Sequence, residues 1–374
     1  MLGGLVMMDL SINETIKYNK SGPARYCCRT GVWSEIEKLL TPYGKRTVVS
    51  GGVRARASIQ DKLFPALEAA GIEYRVNAFS GESSMNNVEK LVEICREYMP
   101  DFIIGAGGGK ALDTAKYAAE ICGIPVITIP TIAATCAAAS NQIIVYSDDG
   151  EYLENVYPKT NPPLVIVDPE VILRAPKKYL ISGIYDSLAK WYEGSASLPG
   201  SDNADTFDYM ALAIAGMLKE NLFRDGKAAL DALDAGELTK EFINVVNLNI
   251  YTAASVQALG IKAVRNGIAH STQNGLTKLP GGHHITHGEK VAYGIAVQLA
   301  VLNAPASEKA ELKGLYDSMG LVSTFRGLDL DFTDENIHTV ALKAVSDVLM
   351  RTKPFDNITV EMMCQAIREV EVTF

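Results

Sequence analysis

The chain carries five histidines, and four of them, His270, His283, His284 and His287, fall within eighteen residues. The fifth is His338. Neutral imidazole is the commonest protein ligand of divalent transition metals. Clustering of so rare a residue therefore points to a metal site, although histidines that merely share a loop would show the same spacing. Two imidazoles and one carboxylate leave a coordination position open for water or substrate. The candidate carboxylate is Asp186, in GIYDSLAKWYE. At the start of a helix it would serve equally as an N-cap.

A second stretch, FIIGAGGGKALDTAK at residues 102–116, suits a different ligand. Phe102, Ile103 and Ile104 form a short apolar run of the buried-strand kind. Gly105, Gly107, Gly108 and Gly109 follow, and Lys110 opens a helical pattern through Ala111, Leu112, Ala115, Ala118 and Ala119. Glycines admit a ligand to the backbone, and a helix N-terminus offers free N–H groups and positive potential. The combination predicts a diphosphate cradle. Its spacing is neither the G-x-G-x-x-G fingerprint nor a Walker loop, so the glycines alone would also fit a tight strand-to-helix turn.

The elements that must position these residues divide the chain in two. Up to Asp168 the pattern alternates: extended residues 13–30, helix 33–40, strand 46–50, helix 58–70, strand 73–79, helix 85–98, the glycine stretch, and strands 124–129, 143–146 and 164–167. Alternation predicts a mostly parallel sheet with both faces covered. After Pro169 helical spacing takes over, at 179–195, 205–222, 238–259, 287–302, 306–319, 334–350 and 360–370. The expected organisation is an α/β dinucleotide-binding domain over 1–168 and an all-α metal-binding domain over 169–374.

Composition narrows the class. A net charge of −9 argues against a nucleic-acid partner. No apolar run reaches membrane-spanning length. The N-terminal MLGGLVMMDLS lacks the basic segment of a signal peptide, and Met7 and Met8 offer alternative starts. Six cysteines without C-x-x-C spacing read as reduced thiols in a cytoplasmic protein.

Taken in order, GGGKALDTAK, PTIAATCAAAS, GIYDSLAKWYE, HSTQNGLT and HGEKVAYG resemble the iron-containing alcohol dehydrogenase superfamily. The likeness is to its glycerol dehydrogenase branch, and most of all to the bacterial hydroxycarboxylate dehydrogenases. It spans residues 25–300 and implies the dehydroquinate synthase-like fold, a Rossmann-like domain followed by a helical one. It puts Asp186, His270 and His287 on the family's three metal-ligand positions. Gly108, Gly109 and Lys110 match the diphosphate loop, and Asp113 matches the residue near the nicotinamide amide. Thr131, Thr135, Ser140, Gln142 and Tyr146 match the segment along the dinucleotide.

Several positions depart from the family pattern. Gln273 replaces a second histidine, one that is not a ligand in the glycerol branch. Tyr185 replaces a glycine and is expected either to narrow the site or to alter what surrounds the metal ligands. Lys190 stands where iron-type members have a fourth ligand, so three ligands favour zinc over iron. Cys136 stands where glycerol dehydrogenases carry an aspartate for polyol hydroxyls, and a thiol cannot make that charge-assisted bond. Lys190 also lies one turn beyond Asp186 on the same helix face. An anion lost and a cation gained predict an anionic substrate such as a 2-oxo acid, with a structural ion pair as the other role for Lys190. Gly52 and Arg54 follow strand 46–50, where NAD-specific members place an aspartate for the ribose hydroxyls. They predict that NADPH is accepted and preferred, unless Arg54 is an ordinary surface charge.

The implied chemistry is reversible hydride transfer between NAD(P)H and a small carbonyl compound, with the metal as Lewis acid. Lys190 and Cys136 meet the substrate, and the proton is relayed by His283 or His284, with His283 preferred, or by metal-bound water and the ribose hydroxyl. A glycerol dehydrogenase is the first alternative. A dehydroquinate synthase-like lyase and a dinucleotide-binding regulatory protein follow. The expected partners are a small substrate and further copies of the chain, with no nucleic acid and no membrane.

Overall fold

The computed structural model describes residues 22–202, 204–260, 264, 267–321, 323–347, 350 and 354–374. Met7, Met8 and the extended reading of 13–21 lie outside these. The chain forms two compact units, Met1–Ile132 with Ala137–Ile172, and Ala133–Cys136 with Leu173–Phe374.

The first unit holds strands β1 (Tyr26–Cys28), β2 (Arg46–Gly52), β3 (Glu73–Phe79), β4 (Phe102–Gly107), β5 (Val126–Pro130), β6 (Ile143–Tyr146), β7 (Tyr152–Val156) and β8 (Leu164–Val167). Six of them make one sheet in the order β1-β8-β5-β4-β2-β3, with every neighbouring pair parallel. β6 and β7 form a separate antiparallel ribbon. The helices are α1 (Ile36–Leu40), α2 (Val53–Ala57), α3 (Gln60–Ala69), α4 (Met85–Tyr98), α5 (Gly109–Cys122) and α6 (Pro169–Leu173).

Successive strand residues point to opposite faces. Val49, Ile104 and Ile127 pack with Leu40, Leu63 and Leu67 on one side. Val48, Ile103 and Val126 pack with Val88, Leu91, Ala115 and Ala118 on the other. Both faces are buried, which is why the central strands read as continuous apolar runs. A Cβ on Gly105 would stand 2.7 Å from the Ala115 Cβ, so this glycine lets α5 lie close on β4.

Several details of this unit differ from the sequence reading, among them α6, which was not foreseen. Helix 58–70 begins at Gln60, and the short α2 precedes it, closed by the Ser58 hydroxyl donating to Ala55 O. β7 was not foreseen. Most of its side chains are exposed, so it lacks the alternation that marks a half-buried strand.

Among its described residues the second unit contains helices joined by turns, and no strand. It comprises α7 (Lys177–Ser197), α8 (Thr206–Ala235), α9 (Lys240–Asn247), α10 (Ala253–Leu259), α11 (Ile268–Leu276), α12 (His287–Val301), α13 (Ala306–Met319), α14 (Asp334–Ser346) and α15 (Val360–Thr373). One part of its core joins Leu276, Tyr293, Val297, Val340 and Ile367 from α11, α12, α14 and α15.

Here too the sequence reading needs correction. α8 continues past Leu222 for another thirteen residues, through Asp225 and Gly226. The Asp225 carboxylate is taken up by Arg224 and Asn244. A Cβ on Gly226 would stand 2.5 Å from the Met319 Cε, so this glycine is a packing residue rather than a helix stop. The helix read over 238–259 is interrupted by a wider π-type turn, Leu248–Thr252, which turns Asn249 fully inward. α11 was not expected as a helix, and α14 ends at Ser346. Among the described residues no helix is long and apolar enough to cross a membrane.

Candidate functional site

Asp186 lies in the middle of α7, not at its start, which removes the N-cap reading. His270 is on α11, and His287 is the first residue of α12. That start is set by Thr286, whose hydroxyl accepts from the Glu289 N–H while the Glu289 carboxylate accepts from the Thr286 N–H. Three glycines draw the neighbouring backbones together. A Cβ on Gly288 would stand 2.0 Å from Ser182 O, one on Gly294 2.2 Å from Ala269 O, and one on Gly183 1.9 Å from Ala133 O. The Gly288 N–H also donates to Ser182 Oγ at 3.0 Å.

The helices so packed bring Asp186, His270 and His287 into one cluster, each offering a ligand atom within 4.8 Å of the others. Asp186 Oδ1 is 3.3 Å from His270 Nε2 and 3.3 Å from His287 Nε2. A buried carboxylate flanked by two ring nitrogens is a donor set that fits one divalent transition metal.

Glu193 completes this arrangement, and the sequence reading passed over it. Its side chain is fully buried on α7. One carboxylate oxygen accepts from the His270 main-chain N–H at 2.9 Å, and the other lies 2.7 Å from His270 Nδ1. A metal-binding imidazole donates from one ring nitrogen and keeps a lone pair on the other, and Glu193 is placed to accept the Nδ1 proton of His270. The available signal was helical spacing, since Asp186, Lys190 and Glu193 recur at i, i+4 and i+7.

Burial opposes ionisation of Asp186, but the Lys190 ammonium and the bonds to His270 and His287 hold its carboxyl well below the usual range. Burial also opposes a charge on His270. The Glu193 and Asp186 carboxylates outweigh it and raise that ring to about 9. Desolvation prevails over Asp186 at His287, whose ring is lowered.

Of the other predicted residues, Lys190 is buried one turn beyond Asp186, and Gln273 is buried one turn beyond His270. Tyr185 does not narrow the cluster. It is a core residue, stacked edge-on against Tyr316 at 5.1 Å, and its hydroxyl has no hydrogen-bond partner. His283 and His284 are exposed in the turns between α11 and α12, and neither joins the cluster. His338 is exposed on α14. Cys136 is buried, with its thiol 2.9 Å from Gln257 Oε1. Asn249 donates to Ala133 O at 3.1 Å, so both ends of the segment Ala133–Cys136 are tied to helices of their own unit.

In the first unit, Gly107 takes φ +143°, a conformation open to glycine. Gly108 precedes the first turn of α5, and no side chain caps that turn. Its main-chain donors are thus left for a ligand, as a bound diphosphate would need. Thr131 N–H donates to Gly107 O at 3.1 Å. Lys110 is exposed and paired with Glu82 at 2.6 Å, and its ammonium lies 5.8 Å from the Tyr146 ring.

Asp113 is buried, 2.8 Å from the Lys116 ammonium, and accepts from the Ile144 N–H at 3.0 Å. Burial pushes its carboxyl up against the pull of Lys116. Lys116 also donates to Ala137 O at 2.9 Å, Ser140 O at 3.3 Å and Gln142 O at 2.6 Å, which folds residues 137–142 around one ammonium. Ser140 Oγ accepts from the Gln142 N–H, and Thr135 is half-buried. Gly52 ends β2, and Arg54 stands exposed on α2 just beyond it.

A family model described as iron-containing alcohol dehydrogenase matches residues 23–169. A glycerol dehydrogenase of Escherichia coli is 33% identical over 315 residues, covering 82% of this chain and 84% of its own. Hydroxycarboxylate dehydrogenase A of Escherichia coli is 35% identical over 316 residues, covering 84% and 86%. The crystal structure of a probable glycerol dehydrogenase from Sinorhizobium meliloti superposes with a TM-score of 0.83 at 30% identity, covering 95% of this chain and 98% of its own. With the parallel sheet, the helical unit and the Asp-His-His cluster, these likenesses agree on one conclusion. The chain belongs to the iron-containing alcohol dehydrogenase family, as a dehydrogenase that uses a nicotinamide dinucleotide and a divalent metal.

Proposed function

We propose that the protein interconverts a 2-oxo acid and the matching 2-hydroxy acid, with NADPH preferred over NADH and zinc preferred over iron. The observation that carries this reading is Lys190, a buried ammonium one helical turn from Asp186 whose charge is felt there. A cation in that place attracts a substrate carboxylate. Cys136 supports it, since a neutral thiol does not repel that carboxylate as an aspartate would. The likeness to hydroxycarboxylate dehydrogenase A points the same way.

In this reading Asp186, His270 and His287 hold the metal through Oδ1, Nε2 and Nε2, with Glu193 orienting His270. When bound, the metal polarises the substrate carbonyl and the dinucleotide supplies the hydride. Lys190 orients the substrate carboxylate, and Cys136, held by Gln257, forms a neutral wall beside it. His283 passes a proton from solvent to the alcohol oxygen. The first-turn amides at Gly108 and Gly109, with Lys110, receive the diphosphate. Thr131, Thr135, Ser140, Gln142 and Tyr146 line the dinucleotide, Asp113 lies near the nicotinamide amide, and Gly52 and Arg54 receive the ribose 2′-phosphate. Residues 1–168 are thus assigned to the dinucleotide and 169–374 to the metal, in a homo-oligomeric cytoplasmic protein.

The glycerol dehydrogenase relatives favour a second reading, polyol oxidation. The test is NADPH and NADH consumption by zinc-loaded protein with a panel of 2-oxo acids beside dihydroxyacetone. Faster turnover of 2-oxo acids with NADPH supports the first reading. Preference for dihydroxyacetone transfers support to the second, and no turnover of any carbonyl overturns both.

A further inference from the structure

Three side chains of α5, Lys110, Asp113 and Lys116, recur at i, i+3 and i+6. That spacing sets them along one inclined row of the helix. Each meets a different point of the segment 137–146. The Lys110 ammonium lies 5.8 Å from the Tyr146 ring. Asp113 Oδ2 accepts from the Ile144 N–H at 3.0 Å. Lys116 donates to Gln142 O at 2.6 Å, Ala137 O at 2.9 Å and Ser140 O at 3.3 Å. The segment therefore runs back along α5, and all these residues belong to the first unit.

Lys116 holds most of it. Its side chain is 1% exposed, and Asp113 Oδ1 stands 2.8 Å from its ammonium. The carboxylate offsets the cost of burying that charge. Four oxygens surround three N–H donors, so the donors are all used inside the fold. Thr128 on β5 adds a bond of the same kind, from its hydroxyl to Ala138 O at 2.7 Å. Residues 137–142 lie in turns and bends, outside helix and strand, so these carbonyls have no ladder to join.

We propose that Lys116 is a positioning residue for the dinucleotide. Its ammonium acts as an internal cation that shapes residues 137–142, and it touches neither cofactor nor substrate. The inference rests on the reading above that Ser140, Gln142 and Tyr146 line the dinucleotide. In that reading α5 serves the cofactor twice. Its first turn receives the diphosphate, and Lys116, about 10 Å further along at the 1.5 Å rise per residue, holds the lining segment. One helix thereby fixes the spacing between two parts of the site.

The experiment titrates the full-length protein by fluorescence with whichever of NADPH and NADH binds the wild type more tightly. Hydrogen exchange of its peptides is followed by mass alongside. Lys116→Met removes the charge and nearly keeps the volume. It is expected to raise the Kd about tenfold or more, the scale of one charge-assisted hydrogen bond. Exchange should quicken over 137–144 while the sheet strands stay protected. In Lys116→Ala, added propylammonium replaces the atoms removed. It is expected to restore most of the lost affinity and to leave the wild type unaffected.

Should Asp113, left buried and unpaired, unfold both variants, Thr128→Val decides. It keeps every charge and removes one bond to the segment, so its Kd should rise about threefold, the scale of a neutral hydrogen bond. An unchanged Kd in folded Lys116→Met, or in Thr128→Val where neither Lys116 variant folds, overturns the proposal. So does weaker binding with exchange quickened evenly across the unit, which marks a general loss of stability. Tyr146→Ala tests the underlying reading separately. If it binds the dinucleotide as tightly as the wild type, the lining assignment falls and the proposal with it. If it binds weakly while folded Lys116→Met binds normally, the proposal falls alone. None of these readouts depends on turnover.

Discussion

Glu193 grips His270 twice, through the main-chain N–H at 2.9 Å and through ring Nδ1 at 2.7 Å. The backbone of α11 and the orientation of the imidazole are therefore set by one carboxylate on α7. Glu193→Gln keeps the volume but supplies only one acceptor oxygen and no charge. It is expected to weaken zinc binding by about 10–100-fold, the usual cost of losing such a supporting partner. Competition with a chromophoric chelator reads this directly, and an unchanged affinity would show that Glu193 only packs.

Lys110 and Glu82 make an ion pair at the mouth of the glycine turn. A diphosphate that takes Lys110 must displace Glu82. Glu82→Gln is thus expected to tighten dinucleotide binding and Lys110→Ala to weaken it. The Lys110 side chain is about half exposed, so the gain from Glu82→Gln should stay within about fivefold, the scale of an exposed pair. Fluorescence titration with NADPH distinguishes the two signs.

Arg54 is exposed on α2, where no carboxylate follows the end of β2. Arg54→Ala is expected to lower kcat/KM for NADPH by about tenfold or more, the scale of one charge-assisted contact, and to leave NADH nearly unchanged. Equal losses with both cofactors would assign Arg54 to general electrostatics.

Cys136 and Gln257 form a neutral pair, and the proposed function sets Cys136 beside the substrate. Cys136→Asp restores an acceptor for polyol hydroxyls and adds a negative charge. Activity with 2-oxo acids should fall and activity with dihydroxyacetone should rise, about tenfold in their ratio for one charge-assisted bond. A parallel change in both activities would remove Cys136 from substrate selection.

Glycines in the same unit should respond oppositely to a methyl group. Gly288→Ala sets a Cβ against Ser182 O at 2.0 Å and must push α12 from α7, so both stability and zinc content should fall. Gly314 lies inside α13 with nothing within 4 Å of the added Cβ, and Gly314→Ala should stabilise by up to about 1 kcal/mol. Thermal melts with metal analysis give both answers.

What the sequence disclosed depended on how local each signal was. The strands through Val48–Val49 and Ile103–Ile104 were legible because burial on both faces leaves a continuous apolar run, and the cluster of His270 and His287 because histidine is scarce and clustered. Glu193 stayed hidden because its partner is 77 residues away, and an acid on a helix reads as solvent-facing until the fold buries it. Tyr185 misled for the same reason, since only the packing of α13 decides that its ring meets Tyr316. The helix read over 205–222 stopped short of Asp225 and Gly226, which tertiary contacts with Asn244 and Met319 hold within α8. The π-type turn at Leu248–Thr252 has no local cause in its side chains. It coincides with the inward turn of Asn249, which donates to Ala133 O and Leu180 O.

The contacts at Gly183, Gly288 and Gly294 also bear on how such a site can change over descent. Each is main chain against main chain, or nearly so, and no rotamer can relieve it. A larger residue at any one of them would require a neighbouring helix to be re-laid, and with it a ligand of the cluster. Side chains such as Cys136 and Gln273 are under no such main-chain constraint, and a substitution at Cys136 asks only neighbours such as Gln257 to adjust. The backbone holding Asp186, His270 and His287 passes on as one heritable block, and substrate choice can drift around it.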